Sequence, residues 1–331
     1  MKNCLLGAMA RSLSAAGLGL AMALSMTAAS AQENWPTRPV TIIHPYAPGG
    51  PADIMARALG HQLEARFKQP FIVDGRAGGG ATIGTAVVAR ARPDGYTLLI
   101  GTSAGHVVTP LMQKIAYDGI NDFAFIAVVA NQPNVVVVNA TLGIDTLQSL
   151  IDVARKDPSK LNYGSAGMGG ATHLGAEAFA QAAGIRITHV PYSGAVPALR
   201  DVLGGQVQMA MLNLSATLPF ITDGKMKALA YGGQKRTTLL TGVPTLEELG
   251  YGNTSTSTWY SLSAPKGTPP ATIDALSKAV AEALADPAYQ KVLTAQGAER
   301  LSLSPAETTA FVQRDKEAMT RLLERLNLLG K

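Results

Sequence analysis

The chain has 331 residues, with 28 Lys or Arg against 23 Asp or Glu and a formal charge of +5. The basic residues are scattered rather than gathered into a stripe, which excludes a nucleic-acid footprint. The one cysteine is Cys4, so nothing beyond the extreme N-terminus offers a thiol for catalysis, a disulfide or a metal.

Lys2 and Arg11 accompany an apolar run over 13–26, followed by Ala29-Ser30-Ala31. That layout predicts a signal peptide over 1–31, cleaved after Ala31. The run of about 14 apolar residues is shorter than the roughly 20 a membrane span needs. A long cysteine-free chain behind a secretory leader points to the bacterial periplasm. Its length predicts two domains.

Strand and helix patterns then alternate. A buried strand over 40–44 precedes Ile54, Ala58, Leu59, Leu63 and Phe67 at helical spacing. A strand over 71–73, a helix over 81–91 and a strand over 96–100 follow. Strands are expected over 125–129 and 135–138, and a helix over 147–156. Next come strand 162–164, helix 172–183, strand 188–190, helix 195–203 and strands 207–212 and 227–231. Such alternation predicts βαβ units and mainly parallel sheets, an α/β fold. After a strand over 258–264 the chain turns helical. Ser304-Pro305-Ala306-Glu307 reads as a capping box opening a last helix to about 328. Helices without strands are expected to return and cover the first domain.

The loops carry the functional signal. "HPYAPGGPAD" (44–53) joins a strand to a helix, and the pattern recurs in "LNYGSAGMGGATHLGAEAFAQAAG" (161–184). "GRAGGGATIG" (75–84) and "GTSAGH" (101–106) also follow strands. Glycine lets backbone N–H groups approach a ligand, and a helix N-terminus adds unpaired donors and partial positive charge. Four such loops at strand ends predict an anion-binding cleft. Nucleotide motifs are absent: there is no GxxxxGK[ST], and the GxG pairs at 78–80 and 167–169 lead to Ile83 and Thr172 rather than glycine. Gly101-Thr102-Ser103-Ala104-Gly105 matches G-x-S-x-G, so a serine hydrolase is the alternative, with Asp145 or Asp152 and His173 or His189 as partners. No histidine follows His189, where such a fold usually carries its base. The five histidines have no metal-ligand spacing, and no metal or cofactor is expected. Asp53 has two readings, as a stabiliser of its helix start or as a group facing the cleft.

"PYAPGGPADIMAR", "GRAGGGATIG", "ARPDGYTLLIGTS", "YGSAGMGGATHLGAE", "HVPYSGAVPALRDVLGGQVQ", "GKMKALA" and "VPTLEELG" together resemble the tripartite tricarboxylate transporter receptors, the Bug or TctC type, over nearly all of the chain after the leader. The resemblance implies a monomeric periplasmic solute receptor of the type II binding-protein fold. Its two α/β lobes would be joined by crossing strands, with lobe 1 at 33–137 plus 255–331 and lobe 2 at 138–254. It also implies a partner permease of one large and one small subunit, and a carboxylate ligand held by N–H groups, hydroxyls and water. Carried over residue by residue, the first-lobe loop is Tyr46, Ala47, Pro48, Gly49, Gly50 and Asp53. The second-lobe loop is Ser165, Ala166, Gly167, Met168, Gly169, Thr172 and His173. Ser103 belongs to a third loop, and Tyr192 and Asn213 line the second-lobe wall. Many relatives carry an acid where this chain has Leu212. Leu212 is expected to add apolar wall and to favour a carboxylate with an aromatic or aliphatic body. A soluble sensory receptor of the same fold is a further alternative.

Overall fold

The computed structural model describes residues 35–254 and 256–330. The expected signal peptide and its cleavage site lie outside the described residues. The elements in chain order are β1 (Val40–His44), α1 (Pro51–Phe67), β2 (Phe71–Gly75), α2 (Thr82–Ala89), β3 (Thr97–Gly101) and β4 (Phe123–Asn139). They continue with α3 (Leu147–Lys156), β5 (Asn162–Ser165), α4 (Ala171–Ala183), β6 (Thr188–Pro191), α5 (Ala195–Leu203), β7 (Met209–Asn213), α6 (Leu214–Thr222) and β8 (Met226–Tyr231). The last are β9 (Ser257–Pro265), α7 (Pro270–Ala285), α8 (Pro287–Ala295) and α9 (Pro305–Arg325).

The strand order is β2-β1-β3-β9-β4-β7-β5-β6, with β8 on β4. The βαβ pattern gives parallel pairs β1–β2, β1–β3, β5–β6 and β5–β7. The expectation of mainly parallel sheets is corrected at the centre, where β9 runs antiparallel to β3, and β4 runs antiparallel to β7, β8 and β9. A strand that returns from a distant part of the chain has no crossover helix to force it parallel.

β4 also joins two strands that the sequence separates. Residues 123–133 pair with β9, and 134–139 pair with β7 and β8. The polar stretch Asn131-Gln132-Pro133-Asn134 reads as a break, yet it runs straight through. Gln132 Nε2 donates to Ser215 Oγ and to the Gln296 carbonyl (2.8 and 2.6 Å), and Asn134 Nδ2 to Thr256 Oγ1 (2.9 Å). Bonded in this way, polar groups can stay buried. The next four residues alternate between two cores: Val135 and Val137 pack with Leu199, Leu212 and Leu214, while Val136 and Val138 pack with Leu150, Phe179 and Met211. A strand covered on both faces has no polar alternation to read.

The C-terminal helices return as expected. Val312 and Leu323 of α9 join Ile43, Leu99 and Phe125 in the core of the first sheet half. The capping box forms, with Ser304 Oγ accepting from Glu307 N (3.3 Å) and Glu307 Oε2 from Ser304 N (2.8 Å). α6 is an element the sequence hides, because Pro219 inside it masks the helical pattern.

Candidate functional site

Four helices start beside one another. Gly50 precedes α1, Gly170 precedes α4, Gly194 precedes α5 and Asn213 precedes α6. Residues at these starts line a cavity of about 590 Å³, its mouth included: Tyr46, Ala47, Gly50, Pro51 and Ala52; Ala166, Gly167, Met168, Gly170, Ala171 and Thr172; Ala195; and Asn213. Gly80, Thr102, Ser103, Ala104, Thr258 and Tyr260 complete the lining. None of these residues is Lys or Arg. Positive potential at the cavity comes from helix starts, where N–H groups lack carbonyl partners.

The loops around it touch across the cavity's rim. Ala47 N donates to the Ser193 carbonyl (2.9 Å), and Thr109 Oγ1 to the Gly80 carbonyl (2.8 Å). Gly80 has φ +61°, and a Cβ there would stand 2.7 Å from the Met168 carbonyl oxygen. Only glycine fits that close approach.

Of the sequence-predicted residues, the structure brings Tyr46, Ala47, Gly50, Ser103, Ala166, Gly167, Met168, Thr172 and Asn213 onto this lining. Pro48 and Gly49 are exposed, and Gly49 borders a separate groove with Ile54 and Leu199. Asp53 is buried and bonded to its own helix start: Oδ2 accepts from Gly49 N (3.1 Å) and Arg57 Nε (3.0 Å), and Oδ1 lies 3.0 Å from His44 Nε2. Burial alone would raise its pKa, but these donors outweigh that and hold the carboxyl below its ordinary range. Ser165 is fully buried, with its Oγ 2.7 Å from His189 Nε2 and accepting from Gly167 N (3.2 Å). Gly169 N donates to His173 Nδ1 (3.2 Å), and His173 stacks on His189 at 4.2 Å. Burial pushes these imidazoles down, to about 3 for His173 and about 4 for His189. Tyr192 lines an adjoining space with Tyr46 and Met168, and its hydroxyl donates to Asp201 (2.6 Å).

Leu212 requires correction. It is fully buried against Val135, Leu199 and Tyr231 and does not line the cavity, so it contributes no ligand wall. On β7 its neighbour Asn213 takes the cavity position, with Nδ2 donating to Asn134 Oδ1 (3.1 Å) and Thr258 Oγ1 (3.0 Å).

Thr102, Thr258 and Tyr260 are lining residues the sequence reading missed. Thr102 adjoins Ser103 in the same strand-end loop, which was a usable signal. Thr258 and Tyr260 alternate along β9 and looked like plain strand. Tyr46 Oη lies 2.8 Å from Thr102 Oγ1, and burial pushes the Tyr46 phenol up to about 12.

A nucleophile elbow needs an imidazole beside its serine. Ser103 Oγ instead donates to the Asp315 carboxylate at 2.5 Å. The partners that the hydrolase alternative named lie apart. His189 is on Ser165, Asp145 pairs with Lys227, and Asp152 accepts from Gln148 (2.8 Å).

A family profile described as "Tripartite tricarboxylate transporter family receptor" matches residues 55–328. Protein BugT of Bordetella pertussis is 36% identical over 306 residues, 92% of this chain and 94% of BugT. Among solved structures, the periplasmic binding protein BugD superposes with a TM-score of 0.86 at 32% identity, over 90% of this chain and 100% of its own. Rpa4515 of R. palustris, solved with adipate, gives 0.86 at 33% identity over the same shares. MatC of Rhodopseudomonas palustris, with bound malate, gives 0.83 at 28% identity, over 87% and 100%. The chain therefore belongs to the tripartite tricarboxylate transporter receptor family, periplasmic binding proteins of the two-lobed type II fold.

Proposed function

We propose that the chain is a periplasmic receptor that closes on a small carboxylate, a mono- or dicarboxylate with an apolar aromatic or aliphatic body, and presents it to a permease of one large and one small subunit. The observation that carries this reading is the composition of the cavity. Helix starts and the hydroxyls of Thr102, Ser103 and Thr172 surround an anion without any Lys or Arg, while alanines, Met168, Tyr46 and Tyr260 supply apolar wall. Burying a ligand's alkyl or aryl surface there contributes about 25 cal/mol per Å². Rpa4515, 33% identical, holds adipate, which has such a body. MatC holds malate, which is shorter and hydroxylated, so both classes belong in the test.

Lobe 1 is assigned to 33–137 plus 255–331 and lobe 2 to 138–254; the change of partner along β4 at 133/134 supports a division into two lobes, with 134–137 already paired to the lobe-2 strands β7 and β8. The signal peptide is cleaved after Ala31, and the receptor acts as a monomer. Contacts to loops of both lobes exist only when these meet, so ligand shifts an open–closed equilibrium toward closed.

A thermal-shift screen of the chain from residue 32 onward tests the reading, using adipate and longer diacids, benzoates, malate and amino acids. A ligand at 100 times its Kd adds about 2.7 kcal/mol of stability. A rise in melting point with adipate or benzoate supports the apolar-bodied carboxylate. A rise with amino acids alone refutes it.

A further inference from the structure

Ser103 stands in the wall between two cavities. Behind it lies a second space of about 780 Å³, lined by Trp259, Phe311, Asp315 and Met319 among others. Asp315 is the one ionisable side chain on that lining among the described residues. Its Oδ2 is 2.5 Å from Ser103 Oγ, and among the described residues no Lys, Arg or His forms an ion pair with it.

A serine hydroxyl has one proton to give. While Asp315 is ionised, Ser103 donates to it and turns only lone pairs toward the front cavity, where they repel a carboxylate. When Asp315 carries a proton, it donates to Ser103, and the serine proton is free to meet the ligand. We propose that Asp315 is a positioning residue that sets the donor direction of Ser103 and thereby couples carboxylate binding to uptake of one proton. This rests on the carboxylate reading above.

The surroundings favour a titrating Asp315. Burial raises its carboxyl above the ordinary range, opposed by the hydrogen bond from Ser103. From the π-helical turn Ala104–Val108, the His106 ring is buried and pushed down to about 4, so it stays neutral. β4 contributes the uncharged Asn131, and Glu299, which bridges to Asn131 through the backbone, is exposed. Arg314, Lys316 and Glu317, next to Asp315 on α9, are exposed. None of these fixes a cation on Asp315.

The ligand prefers protonated Asp315, so affinity rises as pH falls through the Asp315 pKa and levels off below its value in the free protein. The test is calorimetric titration of the chain from residue 32 onward with adipate, from about pH 6 to about pH 8.5, in two buffers of different ionisation enthalpy. Wild-type Kd should rise with pH by up to about tenfold per unit, with fractional proton uptake on binding. Both effects should vanish in Asp315→Asn and in Ser103→Ala; adipate's own titration cancels in the comparison. Parallel profiles in wild type and Asp315→Asn overturn the proposal. A slope lost in Asp315→Asn but kept in Ser103→Ala overturns the relay in favour of through-space charge. If Asp315→Asn does not fold, Ser103→Ala and the wild-type proton count decide. If adipate and every other acid in the screen fail to bind, the receptor reading falls and this inference with it. If an acid binds with no proton uptake, the inference alone falls.

Discussion

Replacing Asp53 by alanine separates the two roles this residue could have. In the structure its carboxylate ties β1 to the start of α1 through Gly49 N, His44 Nε2 and Arg57 Nε, at 3.0 to 3.1 Å. The Asp53 side chain is 7% exposed and that of Arg57 is 58% exposed. The Arg57 bond is therefore screened and contributes at most about 1 kcal/mol. The His44 bond is buried and the Gly49 bond half-buried; hydrogen bonds to a charged acceptor are worth about 1.5–3 kcal/mol each, the Gly49 one toward the lower end. Alanine leaves the Gly49 N–H and the His44 ring without that acceptor. The expected loss is about 3–5 kcal/mol, a large part of a total stability of about 5–15 kcal/mol. Urea denaturation should show a lower midpoint with unchanged slope, and Asp53→Asn, which keeps one acceptor, should lose about half as much. If Asp53→Ala unfolds like wild type but no longer binds ligand, Asp53 serves the ligand and the structural argument is wrong.

Three further outcomes follow from the geometry. Gly80→Ala should weaken ligand binding by about tenfold or more, because its Cβ meets the Met168 carbonyl at 2.7 Å when the loops close; an unchanged Kd by calorimetry would contradict that contact. Leu212→Asp should cost about 4 kcal/mol or more, as an unpaired charge among Val135, Leu199 and Tyr231, and a folded variant that merely switches ligand class would restore Leu212 to the cavity wall. His106 and His173, both buried, and the half-buried His189 have pKa values depressed to about 4, 3 and 4. Their stabilising contribution is full above the unfolded value of about 6.5 and is lost as pH falls toward those values, so urea midpoints should decline from about pH 6.5 to about pH 4; a flat profile would refute it.

Local chemistry made much of this legible. The glycine loops of 44–53 and 161–173 end strands and start helices, and both reach the cavity. Ser304-Pro305-Ala306-Glu307 marks α9 through its cap. Less legible were features that depend on distant partners. Ser165 looked like a ligand hydroxyl, but His189, 24 residues on, occupies it. Ser103 meets Asp315 across 212 residues, a pairing no spacing rule encodes. Leu212 and Asn213 are adjacent on β7, so a one-residue step decides which faces core and which faces cavity. The buried polar stretch of β4 reads as a loop until its side-chain partners are known.

The central claim is that a carboxylate sits among helix starts and hydroxyls without a basic side chain. A crystal structure of the chain from residue 32 onward with the best acid from the thermal screen tests it most directly. The carboxylate group should lie within hydrogen-bonding distance of backbone N–H groups near Gly50 or Thr172 and of the Thr102 or Ser103 hydroxyl. Density for the acid paired with a Lys or Arg outside this cavity, for instance with Arg200 in the neighbouring groove, would contradict it.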